Sequence, residues 1–507
     1  MKASRYPVAS RRAFLARSGQ AALTFSLVPA AVLGRGQAAA PNSRINVAFI
    51  GVGSQGLRVM LNFLKEPDVQ AVAVCDPVRE AADYPQWSDH EFCNAVHRLL
   101  EVGSGWEWLS PNQPIQLTPT LRCTTGVAGY EPCRKIVDAW NAKRLGTNRS
   151  SGCAAYADFR ELLARERDFD AVVVGSTDHV HAVISIAAMK AGKHVFCQKP
   201  MTRTMHEAWR MAEVARETKV ATQVAVGPQA SEDTRRLCEW VAAGAIGPVR
   251  EVLNWSSRPL WPQGLPTPSE AQPVPAGLDW DLWLGPAAYR PFNHAYLPFV
   301  WRGWYDFGCG AFGDMGCYSF DTIFRVLKLT APTTAEASST HRYPDSYPQA
   351  SLVHLHFPAA GGRPAVALRW FEGGLRPERP AQLDADERLD AEGLLFVGEA
   401  GSILADFVGG RPRLIPRARM RTFTEPPKTL PRSPGNEREW LNAIHDRSQP
   451  TGANFEFSAT VTEALCLSTM AIRTGERLGW DAATRTLTGP ALAREMINPP
   501  ARPGWEV

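Results

Sequence analysis

The sequence predicts two domains: an α/β domain built on a parallel sheet, followed by an α+β domain with an open, mostly antiparallel sheet. In the first half of the chain, apolar runs of strand length end in polar residues and alternate with helical patterns, which is typical of buried parallel strands. In the second half, residues 350–357 alternate apolar and polar side chains, which indicates a sheet with one face in water. With 507 residues, 45% of them apolar, the chain is long enough for two separate cores.

A glycine-rich turn joins the first predicted strand, residues 45–52, to a helical pattern. The turn reads Gly-Val-Gly-Ser-Gln-Gly over residues 51–56. Its first glycine permits a tight turn, the second leaves room for a pyrophosphate, and the third lets the helix pack closely on the strand, while N–H groups of the helix N-terminus face the phosphates. These features predict a dinucleotide-binding Rossmann domain over residues 44–228. The predicted contacts in this turn are Gly51, Gly53, Ser54, Gln55 and Gly56.

A carboxylate completes the dinucleotide motif. The second predicted strand ends on Asp76, 20 residues after Gly56, where a carboxylate accepts hydrogen bonds from the adenosine ribose hydroxyls. A 2′-phosphate would meet a like charge there, which favours NAD over NADP, although the nearby Arg79 leaves NADP open. Residues 81–152 are longer than a Rossmann crossover needs, and we predict an insertion along one edge of the domain, of unassigned role.

Polar residues follow two further predicted strands, residues 169–175 and 193–197. Both strand ends lie at the carboxyl edge of the predicted sheet, where such sheets bind their ligands. The residues predicted to contact the cofactor at this edge are Thr177, Asp178, His181, Gln198 and Lys199.

The first forty residues have the pattern of an export signal. The pair Arg11-Arg12 is followed by an uncharged stretch over residues 20–33 and by three alanines at 38–40. This order is typical of a twin-arginine signal peptide and predicts a periplasmic or otherwise exported protein; the alternative is a slightly basic disordered tail. The apolar stretch is shorter than the roughly 20 residues of a membrane span, so we expect no span in the mature form.

Charge and cysteine content argue against several classes of partner. The net charge is only +4 and no basic run follows the N-terminus, so we expect no nucleic-acid partner. The ten cysteines include neither a CxxC pair nor the Cys/His spacing of a zinc site, so we expect no metal. Four of them lie between Cys93 and Cys153 and are close enough in sequence to pair, but most are expected to be free and buried.

Together these motifs resemble those of the glucose–fructose oxidoreductase, inositol dehydrogenase and MocA (Gfo/Idh/MocA) family, in particular its exported twin-arginine branch. The resemblance covers essentially the whole mature chain. It is carried by residues 51–56, Thr177-Asp178-His179, Lys199-Pro200 and residues 313–318, and by the tail at residues 433–440 and 454–456. It implies that residues 229–507 form an α+β substrate domain whose sheet often mediates oligomers, and hence a homo-oligomer, either dimer or tetramer.

The resemblance also implies an active site centred on a lysine. Such enzymes carry a Glu-Lys-Pro motif beside the nicotinamide; here Gln198 replaces the glutamate and Lys199 is retained, to stabilise the reacting oxygen. A second family signature is an Asp followed four residues later by a His on the same face of a helix. In this chain the Asp is Asp314, and Tyr318 replaces the His. We expect the lysine cation to drive Tyr318 towards phenolate, so that it acts as general acid and base. The alternative is that Tyr318 is only a pocket wall in an enzyme whose activity is lost or changed.

Residues 280–304 are dense in aromatic side chains, with charged residues interleaved. Aromatic faces stack on the C–H faces of pyranose rings while charged groups bind hydroxyls, so this segment predicts a carbohydrate pocket. The alternative is a packed aromatic loop that seals the domain. The candidate substrate contacts are Trp301, Arg302 and Trp304.

The predicted function is hydride transfer between NAD(P) and a secondary alcohol of a sugar or glycoside. Lys199 polarises the reacting oxygen, and Asp314 and Tyr318 relay the proton. Export predicts a tightly bound cofactor, because one that exchanged freely would be lost outside the cytoplasm. The alternatives are an NAD-dependent glycoside-cleaving enzyme that works by oxidation and elimination, and a non-catalytic sugar-binding relative, which the departures at Gln198 and Tyr318 favour.

Overall fold

The computed structural model describes residues 44–117, 121–146 and 152–507. The predicted export signal, residues 1–40, lies outside these ranges. None of the helices within them is both long and apolar enough to span a membrane.

The first domain alternates strands and helices along the chain. Its strands are β1 (Ile45–Ile50), β2 (Val69–Cys75), β3 (Ala81–Gln86), β4 (Pro114–Gln116), β5 (Arg122–Ala128), β6 (Ala154–Tyr156), β7 (Ala171–Val174), β8 (His194–Cys197) and β9 (Thr222–Val224). Its helices are α1 (Ser54–Phe63), α2 (Glu91–Leu100), α3 (Tyr130–Leu145), α4 (Phe159–Arg165), α5 (His181–Lys190) and α6 (Met205–Thr218).

Among the described residues, six of these strands form one parallel sheet in the order β6-β2-β1-β7-β8-β9. Neighbouring side chains of β1 enter different cores, Phe49 on one face of the sheet and Ile50 on the other. Because both faces are buried, the strands are largely apolar. The predicted Rossmann fold is confirmed.

The segment predicted as an insertion, residues 81–152, contains two different parts. Helix α3 packs against the Rossmann sheet, with Cys133, Ile136 and Val137 in one of its cores, and serves as the crossover between the parallel strands β2 and β6. As far as the described ranges extend, the additional part is α2 and a small antiparallel sheet of order β3-β5-β4. This small sheet lies beside the glycine-rich turn, because Tyr84 of β3 contacts Gly53.

The second domain has one large sheet covered by helices. Its strands are β10 (Val249–Trp255), β11 (Thr334–Ser339), β12 (Ser351–Phe357), β13 (Val366–Phe371), β14 (Gly393–Gly398), β15 (Gly401–Ala405), β16 (Arg413–Ile415), β17 (Leu478–Asp481) and β18 (Thr486–Thr488). Its helices are α7 (Glu232–Ala242), α8 (Trp280–Leu284), α9 (Gly310–Leu327), α10 (Arg417–Thr422), α11 (Asn436–His445), α12 (Phe455–Thr474) and α13 (Ala491–Glu495).

Within the described part of the chain, the strands of this sheet follow the order β16-β15-β14-β10-β13-β12-β11-β17-β18. The pair β10 and β13 is parallel, and the other neighbours are antiparallel. Helices α9 and α12 pack on one face, where Phe320 and Leu465 join the core with Trp370 of β13. The predicted α+β domain with a mostly antiparallel sheet is confirmed.

One helix of the C-terminal half belongs to the core of the first domain. Trp440 of α11 packs edge-on against Phe63, with ring centroids 5.7 Å apart, and lies 5.6 Å from the ring of Phe196. Its indole N–H donates to the Ala221 carbonyl at 3.1 Å. A helix from the C-terminal half of the chain thus completes the core of the first domain. The N-terminal half of α9 lies at the carboxyl edge of the Rossmann sheet, where Asp314 contacts Lys199.

Candidate active site

The glycine-rich turn is built to bring backbone N–H groups to a ligand. Gly51 has φ +84°, and a Cβ there would lie 2.2 Å from the Ser176 backbone nitrogen. A Cβ on Gly56 would lie 1.9 Å from the Gly51 carbonyl oxygen, so helix and turn touch directly. Helix α1 then begins without a side-chain cap and without an acidic residue in its first turn. Its first N–H groups and dipole are thus suited to a phosphate.

Asp76 braces this turn from the end of β2. Its Oδ2 accepts from the Val52 N–H at 2.7 Å and its Oδ1 from the Val78 N–H at 2.8 Å. Burial raises the pKa of Asp76 to about 6, against the effect of these hydrogen bonds. Each carboxylate oxygen can accept a second bond, so Asp76 retains the capacity to bind ribose hydroxyls.

A cavity joins the glycine-rich turn to helix α9 and the aromatic loop before it. The predicted site residues that line this cavity are Gly51, Gly53, Ser54, Gln55, Asp76, Thr177, Asp178, Gln198, Lys199, Trp301, Arg302, Asp314 and Tyr318. Residues from four strand ends, one helix and one loop therefore converge as the sequence predicts.

Lys199 is held in this cavity by Asp314. The Gln198 N–H donates to the Val174 carbonyl at 2.8 Å, which fixes the chain just before the lysine at the carboxyl edge. Lys199 Nζ donates to Asp314 Oδ1 at 2.9 Å and lies 4.9 Å from the centre of the Tyr318 ring. The side chains of Lys199 and Asp314 are only 12% and 6% exposed, so this is a buried ion pair.

The electrostatics keep the ion pair charged. Burial disfavours the Lys199 ammonium, but the neighbouring acidic groups, Asp314 first among them, together outweigh it and hold the pKa of Lys199 above its ordinary value. Burial likewise disfavours the Asp314 carboxylate, yet Lys199 and Arg302 lower the pKa of Asp314 below its usual range. Arg302 Nε donates to the same Oδ1 at 3.2 Å. One carboxylate thus pairs with two cations, and Lys199 is a hydrogen-bond donor at neutral pH.

The prediction that Lys199 drives Tyr318 towards phenolate is wrong. Burial raises the pKa of the Tyr318 hydroxyl above its ordinary value, and the opposing effect of Lys199 is smaller. Removing the proton would leave a phenolate in a site of low polarity. Tyr318 therefore keeps its proton at neutral pH, and its hydroxyl is available as a hydrogen-bond donor.

Asp178 follows β7 and lies in the same cavity with a different environment. It is 2% exposed, and no described group hydrogen-bonds its Oδ2. Burial, followed by repulsion from Asp314, raises the pKa of Asp178 to about 7, although Arg302 and Lys199 act in the opposite direction.

Three predicted contact residues do not reach the cavity. Gly56 lies behind the turn against Gly51. His181 is fully buried, with ring nitrogens 2.8 Å from the Pro200 carbonyl and 3.2 Å from the Ser176 carbonyl. Burial lowers the pKa of His181 to about 4, so the neutral ring donates to one of these carbonyls and braces the two loops.

Trp304 is the third, and its predicted substrate contact is wrong. Its side chain is buried, and its indole N–H donates to the Ala295 carbonyl at 2.7 Å. Its ring packs edge-on against Tyr296, with centroids 5.2 Å apart. Packing in the interior of the loop is enough to explain why an aromatic residue occurs at this position. At Trp304 the structure therefore agrees with the alternative of a packed aromatic loop.

Aromatic residues that the sequence analysis did not single out also line the cavity. Tyr84 and Trp87 come from the insertion, and Trp261 and Phe299 from the second domain. The rings of Trp87 and Phe299 meet edge-on at 5.3 Å, although Trp87 remains 48% exposed. The Arg302 guanidinium lies 4.6 Å from the Phe299 ring centre. For the two residues of the insertion, the only signal in the sequence was the abundance of Trp in residues 81–152, and that abundance does not show which side chains face the cavity.

Two segments match a known family. Residues 128–226 match the Gfo/Idh/MocA oxidoreductase family over the part described as its NAD-binding Rossmann fold. Residues 252–358 match the part described as the C-terminal α/β domain of the same family. The prediction of an NAD-binding Rossmann domain followed by a second domain of the same oxidoreductase family is confirmed at this level.

Relatives with curated names match over shorter stretches. The chain is 36% identical over 171 residues to 1,5-anhydro-D-fructose reductase of Ensifer adhaerens, which is 33% of this chain and 40% of the relative. It is 28% identical over 143 residues to levoglucosan dehydrogenase of Pseudarthrobacter phenanthrenivorans, which is 26% of this chain and 35% of the relative. The chain thus spans well under half the length of either relative.

A solved structure shares the fold over most of the chain. The WlbA dehydrogenase of Bordetella pertussis, in complex with NADH and UDP-GlcNAcA, superposes with a TM-score of 0.51 at 12% sequence identity. The superposition covers 86% of this chain and 99% of the other.

Proposed function

We propose that this chain is an NAD-dependent oxidoreductase of the Gfo/Idh/MocA family that transfers hydride to or from a secondary alcohol of a sugar or glycoside. The observation that carries the proposal is the buried ion pair of Lys199 and Asp314, which lies in the same cavity as the glycine-rich turn. The two family matches and the sugar-derived names of both curated relatives support it.

The residues present fit a nicotinamide dinucleotide. The uncapped N-terminus of α1 suits the pyrophosphate, and the close contact of Gly56 with Gly51 lets that terminus approach it. Asp76 suits the adenosine ribose and favours NAD over NADP. Thr177 and Gln198 also line the cavity, and Gln198 precedes Lys199 in the chain, so these two residues suit the nicotinamide end. When bound, the nicotinamide supplies the hydride donor or acceptor.

Lys199 and Tyr318 act on the reacting oxygen as proton-bearing donors. Asp314 keeps Lys199 protonated and aims its ammonium into the cavity, where it stabilises negative charge that develops on the substrate oxygen. Tyr318 retains its proton, and its hydroxyl supplies a second hydrogen-bond donor to the reacting oxygen.

The aromatic side of the cavity suits a sugar ring. Trp301 lies within 4.2 Å of the Arg302 guanidinium, measured to the ring centre, and both line the cavity. Arg302 donates hydrogen bonds from Nε to Asp314 and from Nη1 to the Phe299 carbonyl at 3.0 Å. A guanidinium has five N–H donors, so others remain for substrate hydroxyls.

We also propose that the protein is exported by the twin-arginine route, retains its cofactor tightly and forms a homo-oligomer. Residues 1–40 support export, and export is the reason to expect retention, since a released dinucleotide would be lost. The retained cofactor would be recycled by a second substrate.

Native mass spectrometry of the exported protein tests the cofactor directly, because it reports the mass of any bound dinucleotide and the number of subunits together. A panel of sugars is then added while the absorbance of reduced nicotinamide is followed, with Lys199→Met as a control that keeps the nucleotide and loses the reaction. A protein that carries no dinucleotide and binds none refutes the proposal. Release of nitrophenol from nitrophenyl glycosides without net reduction would instead support oxidation and elimination.

A further inference from the structure

Oxidation of a secondary alcohol releases a proton, and the groups assigned so far cannot accept it. Lys199 is already protonated because Asp314 stabilises its charge. Tyr318 is protonated because burial disfavours its phenolate. Asp314 is ionised, but its carboxylate is occupied by Lys199 and Arg302, which disfavour proton uptake. The site therefore needs another acceptor.

Asp178 has the geometry of that acceptor. It begins a short helical turn over residues 178–180 in the loop after β7, and β7 pairs with the strand β8 that precedes Lys199. It lines the cavity while only 2% exposed, and its buried Oδ2 has no hydrogen-bond partner among the described residues. A buried carboxylate oxygen without a partner is costly, so uptake of a proton by this carboxylate relieves that cost.

Each element packed against Asp178 contributes a charged or titratable group. Asp314 and the Cys309 thiol come from α9 and the residue before it, Arg302 from the aromatic loop, and Lys199 from the end of β8. Its neighbours His179 and His181 are neutral, because burial lowers the pKa of His179 to about 3 and that of His181 to about 4.

Burial, followed by repulsion from Asp314, outweighs the opposing effects of Arg302 and Lys199 on Asp178. The pKa of its carboxyl is therefore raised to about 7, which allows it to take up and release a proton at neutral pH.

We propose that the Asp178 carboxylate accepts the proton of the substrate hydroxyl during oxidation and returns it during reduction. This inference rests on the proposed function. The substrate O–H bond breaks, its proton forms an O–H bond on Asp178, and its electron pair becomes the second bond of the new carbonyl group. The C–H bond breaks at the same carbon, and its electron pair leaves with the hydrogen as hydride to the oxidised nicotinamide. Protonated Asp178 then releases its proton to water after the ketone departs.

The test compares Asp178→Asn with Glu372→Gln. Glu372 is a matched control because it is also buried, with a pKa that burial raises to about 7, yet its oxygens accept from Ser351 at 2.6 Å and Trp370 at 3.2 Å, and it does not line the cavity. We expect Asp178→Asn to lower the rate of sugar oxidation by about 10²- to 10⁴-fold and to abolish its rise through pH 7, while Glu372→Gln leaves both unchanged. Asp178→Glu should restore part of the rate.

Two measurements without turnover accompany the kinetics. Native mass spectrometry should show the same dinucleotide occupancy in Asp178→Asn and in the unchanged protein. The pKa of Asp178 is raised on folding, so the folded protein loses stability as the pH rises from about 4 to about 7. The midpoint of thermal unfolding of Asp178→Asn should therefore rise relative to the unchanged protein over this range.

The outcomes separate this inference from the proposed function. An active unchanged protein whose Asp178→Asn variant keeps its rate and pH profile overturns the inference alone. Loss of bound dinucleotide in Asp178→Asn also overturns it, because the carboxylate would then serve the cofactor. An unchanged protein that carries out no sugar-dependent reaction overturns the proposed function itself.

Discussion

Replacing Asp314 by Asn tests whether one carboxylate holds the two cations of the site. The amide keeps the shape of the side chain but removes its charge, and leaves Lys199 and Arg302 without their counter-ion at side-chain exposures of 12% and 15%. Breaking a buried ion pair from one side costs about 3–5 kcal/mol. Because Lys199 Nζ also reaches the Asp314 backbone carbonyl at 3.3 Å, we expect a loss in the free energy of unfolding near the lower value, about 3 kcal/mol.

The pH dependence of this loss carries the sharper test. In the unchanged protein the pKa of Lys199 is raised on folding, so its stabilising effect is complete below its ordinary pKa of 10.5. Without Asp314, burial dominates and the pKa of Lys199 falls below 10.5 on folding. The variant then has its largest deficit at low pH and recovers part of it as the pH rises towards 10.5, while the deficit from Arg302 remains.

Urea unfolding at pH 7 and pH 9.5, followed by tryptophan fluorescence, measures both effects. The matched control is Glu399→Gln, which removes the same charge from an ion pair with Arg250 in which both side chains are about half exposed. That change should cost about 0–1 kcal/mol. An Asp314→Asn variant no less stable than this control, or one whose deficit is the same at both pH values, would refute the account of the buried pair.

Three further changes probe other parts of the site. Gly56→Ala places a methyl group 1.9 Å from the Gly51 carbonyl oxygen and should abolish dinucleotide retention in native mass spectrometry, so full retention would contradict the close contact of helix and turn. Tyr318→Phe should lower turnover by about 100-fold or more with unchanged nucleotide retention, and an unaltered rate would exclude its hydroxyl as a hydrogen-bond donor to the reacting oxygen. Trp304→Phe loses the hydrogen bond to Ala295 and should reduce the free energy of unfolding by about 1–3 kcal/mol. The KM for the sugar should stay the same, and a severalfold change would show that Trp304 reaches the substrate after all.

The parts of the site that short motifs determine could be predicted from the sequence. The glycine-rich turn, Asp76 and the Lys199 strand end each depend on a few adjacent residues whose backbone geometry follows from their type. The pairing of Lys199 with Asp314 was predictable only because a resemblance linked two distant motifs. The contact of Trp87 with Phe299 had no such link, since it depends on how the insertion folds back over the cavity.

Two other features depend on the balance of opposing effects. The protonation of Tyr318 follows from burial competing with the Lys199 cation, and the sequence shows the cation but not the burial. Trp304 and Trp301 have the same residue type in the same loop, yet only Trp301 lines the cavity. Which side of a loop faces a ligand is set by the packing around it, and sequence periodicity carries no information on that in an irregular segment.

The position of Trp440 in the core of the first domain affects when that domain can fold during synthesis. A ribosome that has completed residues 44–228 has not yet produced α11, so Phe63 and Phe196 still lack the ring that covers them. The dinucleotide-binding domain must therefore wait for residues 436–445 before its core closes. A fragment that ends at residue 228 should therefore expose these aromatic rings to water and aggregate, so the first domain needs α11 for its stability.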